Sequence, residues 1–328
     1  MNILLPGASG FLGVHLLQNL LLNGYNVYAL VRSIDTFYEN LSYFNISLIN
    51  TEGSLKVIES KNFLNIDLES INDVDLVINC ASKVSNSGNY SDFYNSNVLV
   101  TKKFAKFYKE KFVHISTLSV FVASKTNYGI HDETSNISKD LIGNYALSKA
   151  ESEKYVLDNN GFIIRPGLLT PSTYNNIHFK NSFLETFLKS LKTLEFIPYN
   201  FTEAFVDITP VDICSDIITM YITDILYHKN KINCLHIANK YSMSLSSILS
   251  LFDIKLKCND NEWFEYINES NYTNLQKMLL KNAFFKGTLI NNNDKLFNFD
   301  LFQSTGHYYG KNCFSIDNKA VVKKYITK

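Results

Sequence analysis

The chain has 328 residues, 46% hydrophobic and 19% charged, a folded-protein composition with ample length to bury a core. Lys+Arg and Asp+Glu balance at 31 each, so no net field draws the molecule to nucleic acid or to an anionic membrane. No apolar run approaches the ~18 residues of a membrane span. The opening MNILLPGASGFLG reads as a strand entering a turn and not as a signal peptide. Cys80, Cys214, Cys234, Cys258 and Cys313 are scattered, without CxxC or Cys/His clustering. That argues for a reducing compartment, the cytoplasm, and against a structural metal.

In chain order, apolar β-type runs fall at 3–5, 27–31, 76–79, 112–115 and 162–164, and helical patterns at 11–23, 92–109 and 145–159. The stretch 33–68 is expected to hold a helix and a short strand. Strand–helix alternation of this kind predicts an α/β fold with a doubly wound parallel sheet. Beyond Pro166 the pattern loosens into two strand-plus-helix units, 205–227 and 235–251, and an Asn-rich loop at 291–298. Residues 1–165 with 202–238 are expected to form the cofactor domain, and 166–201 with 239–328 a smaller substrate-binding region.

GASGFLG sets Gly7, Gly10 and Gly13 directly after the first strand and at the mouth of a helix, together with Ser9, Phe11 and Leu12. A pyrophosphate needs a tight turn, close backbone approach and free amides at the helix start, so this unit reads as a Rossmann-type dinucleotide site. The second strand, VYALVRS, ends on Arg32 and Ser33 with no acidic residue before Asp35. Arg32 is one of two arginines among 31 basic residues. A guanidinium fork suits a ribose 2′-phosphate, which favours NADPH over NADH. Asp67 and Leu68 suit an adenine contact. Cys80, Ala81 and Ser82 end the fourth strand, where small residues let a backbone pass under a ribose.

Tyr145 and Lys149, in NYALSKAESEK, stand four apart on a helical pattern and share one face. In a chain with 20 tyrosines the spacing alone is weak, and Tyr227 and Lys231 repeat it in a charged stretch. Position separates the two pairs. The first opens the helix that follows the strand ending in Ser116, Thr117 and Ser119, at the carboxyl edge of the sheet. A lysine beside a phenol is expected to lower its pKa and make it a usable acid. His114, in a buried strand, is expected to be a satisfied core residue.

The GxxGxxG spacing resembles the extended, sugar-epimerase-like branch of the short-chain dehydrogenases/reductases. VINCASKV, YNSNVLVT, ISTLSV, YALSKAESEKYV, IIRPGLLT, VDITPVDICSDII, CLHIANKYSMSLSSIL and NEWFEYI follow in the order of the thioester reductase family, the terminal reductase domains of nonribosomal peptide and polyketide synthases. The resemblance runs from Met1 to about Ile267. It implies a catalytic triad of Thr117, Tyr145 and Lys149, with Thr117 ranked above Ser116, and cofactor contacts from Ser116, Tyr145 and Lys149, the last bonding the nicotinamide ribose. It implies that Arg165 is structural and that the backbone of Pro166, Gly167 and Leu168 contacts the nicotinamide. The implied reaction is NADPH-dependent reduction of an acyl or peptidyl thioester, on a carrier protein's phosphopantetheine or of the coenzyme A type, to an aldehyde, or on to an alcohol. The rivals are a nucleotide-sugar epimerase or dehydratase, against which Arg32 stands, a small-molecule carbonyl reductase, and a non-catalytic NADPH sensor. The resemblance leaves open whether the chain is free-standing or a domain of a megasynthase.

Overall fold

The computed structural model describes residues 1–285 and 316–326, apart from 86–88, 123–130, 138, 140, 142, 176, 178, 180, 181, 202, 229–232, 241, 253 and 255. The Asn-rich stretch 291–298, Cys313 and Lys231 lie outside the described residues.

Seven parallel strands form the central sheet: β1 (Asn2–Pro6), β2 (Asn26–Val31), β3 (Leu55–Glu59), β4 (Leu76–Asn79), β5 (Phe112–Ile115), β6 (Phe162–Pro166) and β7 (Cys234–Ile237). Their spatial order is β7-β6-β5-β4-β1-β2-β3, so the winding reverses between β1 and β4. That reversal opens a crevice at the carboxyl edge, the place where open α/β sheets bind ligands. The order and the parallel pairing are those of the doubly wound class.

Alternation along the strands divides the core between two faces. Ile3, Leu5, Val27, Ala29 and Val31 point to one side, where α1 (Phe11–Leu22), α2 (Ile34–Tyr43) and α8 (Val211–His228) cover them. Leu4, Leu30, Val77 and Phe112 point to the other, against Val100, Phe104 and Tyr108 of α4 (Val100–Tyr108) and Val156 of α6 (Asn144–Leu157). Each such side chain, fully removed from water, contributes about 2 kcal/mol.

The helix expected at 92–109 begins as α3 (Tyr90–Phe93), passes through one π-helical turn (Tyr94–Leu99) and continues as α4. No periodicity argument separates a π turn from an α one, and such turns gather at functional sites. Past Thr117 comes the short helix α5 (Ser119–Val122).

A second core is assembled from α7 (Phe183–Lys192), α9 (Leu245–Leu249), α10 (Asp260–Glu269), α11 (Asn274–Phe284) and α12 (Asn318–Ile326). Trp263 is fully buried there and donates to the Phe196 carbonyl at 3.2 Å. Ala204, Val206 and Ile208, expected on the cofactor side, pack in this second core, while Val211 onward returns to the sheet. Buried Asn239 ties down the C-terminal segment by donating to Asn318 Oδ1 at 2.5 Å. Among the described residues no helix is long and apolar enough to cross a membrane.

Candidate active site

The turn after β1 is built for close approach. Gly7 holds a φ of +82°, where a side chain would be strained. A Cβ on Gly7 would lie 2.6 Å from the Ala81 amide nitrogen, and one on Gly13 would lie 2.2 Å from the Gly7 carbonyl oxygen. The turn closes through Gly10 N–H to the Gly7 carbonyl and Cys80 N–H to the Pro6 carbonyl, both 2.9 Å. The start of α1 has no side-chain cap and no acidic residue in its first turn, so its amides and dipole face an anion without competition. This cradle of bare backbone fits a pyrophosphate. Ser9 is held from outside, its carbonyl accepting from Asn40 Nδ2 of α2 at 2.8 Å. Phe11 stacks into an aromatic group with His15, Phe44 and Phe179, and Leu12 lies in the core.

A graded effect follows from these distances. Gly13→Ala drives Cβ into backbone that cannot swing aside, whereas the nearest atom to a Cβ on Gly10 is 3.3 Å away. Gly13→Ala is expected to cost about 1–3 kcal/mol of stability by overpacking and to weaken dinucleotide binding at least about ten-fold; Gly10→Ala should cost much less. Thermal unfolding and cofactor titration check this, and equal effects at the two positions would contradict it.

Arg32 is exposed at the end of β2. Ser33 is spent locally, its Oγ capping α2 by accepting from Thr36 N–H at 3.2 Å. Asp67 likewise turns inward on its own segment, Oδ1 accepting from Glu69 N–H at 3.1 Å. Leu68 is buried in the core, so only its backbone can face a ligand. Ala81 N–H donates to Asn79 Oδ1 at 3.1 Å, and Ser82 Oγ is buried with no hydrogen-bond partner among the described residues. Burial pushes the Cys80 thiol up to about 12 against the opposing pull of Lys149, so at neutral pH it stays a thiol.

At the carboxyl end of β5 the structure brings the Thr117 hydroxyl beside Tyr145, where it favours the phenolate form. The Thr117 oxygen accepts from Ser119 N–H and lies 3.1 Å from the Ser119 hydroxyl. Gly143, at φ +93°, turns the chain into α6 and sets Tyr145 in its first turn. Lys149, one turn on, is 2% exposed and donates to the Ile115 carbonyl at 2.7 Å. Tyr227, by contrast, is exposed on α8.

The expected lowering of the Tyr145 pKa is not found. Burial raises the phenol to about 12, and the Thr117 hydroxyl is what pulls it down. Lys149 is itself lowered to about 8 by burial, against partial support from the Glu153 carboxylate. Its ammonium is turned to the Ile115 carbonyl instead of the phenol. His114 is also only half as expected. It is fully buried and held neutral, with Nδ1 3.5 Å from Thr101 Oγ1 and no partner at Nε2 among the described residues.

Pro166, Gly167 and Leu168 are committed to backbone ladders. The Pro166 carbonyl accepts from Leu118 N–H, Gly167 N–H donates to the Ile237 carbonyl, and the Leu168 carbonyl accepts from Thr209 N–H. Gly167 therefore has no free amide for a ligand. Ser116 is occupied as well, its hydroxyl donating to Glu153 Oε1 at 2.5 Å.

Three supporting residues escaped sequence reasoning. Asn97, in the π turn, accepts from Lys83 N–H at 2.7 Å and donates to Ser148 Oγ on α6 at 2.9 Å, tying the β4 loop to the helix of Tyr145. Asn40 pins the glycine turn. Glu153 pairs with Arg165. Only Glu153 carried a usable signal, standing four residues beyond Lys149 as Lys149 stands beyond Tyr145.

Residues 65–218 match the NAD-binding family described as male sterility protein. Probable polyketide synthase 3 of Dictyostelium discoideum is 28% identical over 317 residues, covering 82% of this chain and 11% of that protein. The chain thus spans about a tenth of the length of that polyketide synthase. Among solved structures, the terminal R domain of the myxalamid PKS-NRPS pathway superposes with a TM-score of 0.71 at 21% identity, over 85% of this chain and 77% of that one. UDP-glucuronic acid 4-epimerase from Bacillus cereus, in complex with NAD, follows the same fold at a TM-score of 0.59 and 20% identity, over 86% and 97%. With the glycine turn at the switch point of its sheet, the chain shares the fold of these reductase and epimerase structures, and over residues 65–218 it is similar to the NAD-binding proteins described as male sterility protein.

Proposed function

We propose that this chain reduces an acyl or peptidyl thioester, carried on the phosphopantetheine of a carrier protein, to an aldehyde with NADPH as reductant. The observation that carries the reading is the Thr117–Tyr145 hydroxyl pair, set with buried Lys149 where β5 and α6 meet the carboxyl edge of the sheet. The likeness to polyketide synthases and to a terminal reductase domain supports the substrate class.

NADPH, when bound, supplies the hydride that adds to the thioester carbonyl carbon. Thr117 and Tyr145 then have one task, to bond the oxygen on which negative charge develops. Because burial keeps Tyr145 protonated, it stays loaded as the proton donor. The resulting thiohemiacetal breaks its C–S bond, releasing the thiol and leaving an aldehyde; a second round of hydride and proton would give the alcohol. Lys149 can bond the nicotinamide ribose with ammonium protons other than the one directed at Ile115.

Arg32 carries the cofactor preference in this reading. Arg32→Ala is expected to weaken NADPH binding about 10- to 100-fold, the worth of a charge-assisted phosphate contact, and to leave NADH unchanged. Fluorescence titration with both cofactors checks it; equal losses would remove Arg32 from the 2′-phosphate.

The decisive assay supplies NADPH and an acyl thioester and follows loss of nicotinamide absorbance, with NADH in parallel. Thioester-dependent oxidation with release of free thiol supports the reading. Tightly retained NAD without thioester turnover would move the assignment to a nucleotide-sugar epimerase or dehydratase.

A further inference from the structure

Tyr145, Lys149 and Glu153 recur at every fourth position of α6 and share one face. Each reaches the carboxyl edge of the sheet. Tyr145 meets Thr117, Lys149 donates to the Ile115 carbonyl, and Glu153 accepts from Ser116 Oγ at 2.5 Å. The Glu153 carboxylate also grips Arg165 of β6 through both oxygens, from Nε at 3.0 Å and Nη2 at 2.7 Å. Arg165 Nη1 donates to His236 Nε2 of β7 at 3.0 Å, and the guanidinium lies over the Phe121 ring of α5, 5.0 Å from its centroid. Arginine can only donate here, so His236 carries its proton on Nδ1.

Glu153 is 2% exposed and Arg165 5%. A buried ion pair of this kind seldom stabilises more than apolar packing of the same volume. What it supplies is direction, because a planar carboxylate and guanidinium meet in one geometry. The backbone beside it is equally constrained. Ser116 N–H donates to the Ile164 carbonyl at 2.6 Å and Leu118 N–H to the Pro166 carbonyl at 2.9 Å, on either side of Arg165. Thr117 is the residue between them.

We propose that the Glu153–Arg165 pair is a positioning device for Thr117: by fixing the Ser116 side chain it aims the Thr117 hydroxyl at the Tyr145 phenol. It rests on the reading of Thr117 and Tyr145 as the reacting pair. Glu153 is carried by the same helix as Tyr145, so one rigid element bears the proton donor and the anchor of its partner. Ser116, the first hydroxyl after β5, is thereby a positioning residue and not a cofactor contact.

The test is a double-mutant cycle between Ser116→Ala and Tyr145→Phe, with octanoyl-coenzyme A as the thioester probe and a crystal structure of the Ser116→Ala protein. Ser116→Ala leaves the ion pair intact and should fold. Its kcat is expected to fall roughly ten-fold with the KM for NADPH unchanged, and Ser116→Thr, which keeps the hydroxyl, should recover most of the loss. In the Tyr145→Phe background Ser116→Ala should cost little more, because its effect passes through the Tyr145 hydroxyl. The crystal structure should show the Thr117 hydroxyl displaced from Tyr145. An unchanged kcat, full additivity of the two losses, or a Thr117–Tyr145 contact that persists unmoved would each overturn the positioning role. If Tyr145→Phe alone keeps full activity, the catalytic reading fails first and takes this proposal with it.

Discussion

Replacing Tyr145 by phenylalanine is expected to lower thioester reduction about 1,000-fold, within the span that general acid catalysis contributes. The loss should fall on kcat, with NADPH affinity kept, because the ring and its packing remain and only the proton donor goes. Stability should change little. The substitution removes the hydroxyl's interaction with Thr117, worth about 1 kcal/mol if a full hydrogen bond, and relieves the partial burial of the phenol. The sign of the pH effect follows from the same burial. A phenol raised to about 12 stays protonated across the neutral range, so loss of the Tyr145 proton should not set an alkaline limb below pH 9. Stopped-flow hydride transfer by the parent and the variant across pH 6–10 measures both. A Tyr145→Phe protein with undiminished kcat, or one deficient only in cofactor binding, would remove Tyr145 from the chemistry.

Lys149→Met is expected to do two opposite things: abolish most of the activity and stabilise the folded chain. The reason lies in the ammonium's surroundings. Burial lowers Lys149 from 10.5 to about 8. At pH 7 both folded and unfolded chains carry the proton, so the folded chain bears a charge it holds poorly, a cost of roughly 3 kcal/mol at 1.36 kcal/mol per unit. As pH rises past 8 the folded state sheds the proton first and the cost shrinks; above 10.5 it is gone. Methionine avoids it at every pH but gives up the hydrogen bond to the Ile115 carbonyl, about 1 kcal/mol. The variant should therefore be about 2 kcal/mol more stable at pH 7, with the advantage nearly lost by pH 9.5. Urea unfolding at the two pH values measures it; a variant that is less stable at pH 7, or equally favoured at both, would contradict the burial argument. The parent's activity should also decline above pH 8 as Lys149 loses its charge, a limb that Tyr145→Phe leaves in place. Cys80, His114 and Glu153 share this electrostatic neighbourhood, and the Glu153 carboxylate is the one that supports the ammonium.

Such a charge placed against stability is a usual mark of a functional site. Here it also shows where sequence reasoning stops. That a lysine stands four residues after a tyrosine is visible in the letters. Whether the ammonium turns toward the phenol, a ribose or a carbonyl depends on the end of β5, which lies more than thirty residues away in the chain.

Much else was legible from the letters. The strand runs are short, apolar and separated by helical patterns, so five strands of the sheet and its three principal helices could be located from periodicity, and the class followed. GASGFLG announced its turn because only glycine tolerates a backbone oxygen 2.2 Å from where Cβ would be. These are local constraints, written in consecutive residues.

The tertiary structure alone decided the pairings. Asn97 is one polar residue among many in an asparagine-rich chain until the π turn aims it at Lys83 and Ser148. Glu153 and Arg165 find each other across twelve residues and two elements, and Glu153 also takes up the Ser116 hydroxyl, which leaves that group unavailable to Tyr145. The sequence by itself determined that a dinucleotide turn and a tyrosine–lysine helix share one parallel sheet. Which hydroxyl meets the phenol, and which charges bear the burial, was decided by long-range packing, because buried polar groups take their partners from whatever the fold brings within 3 Å.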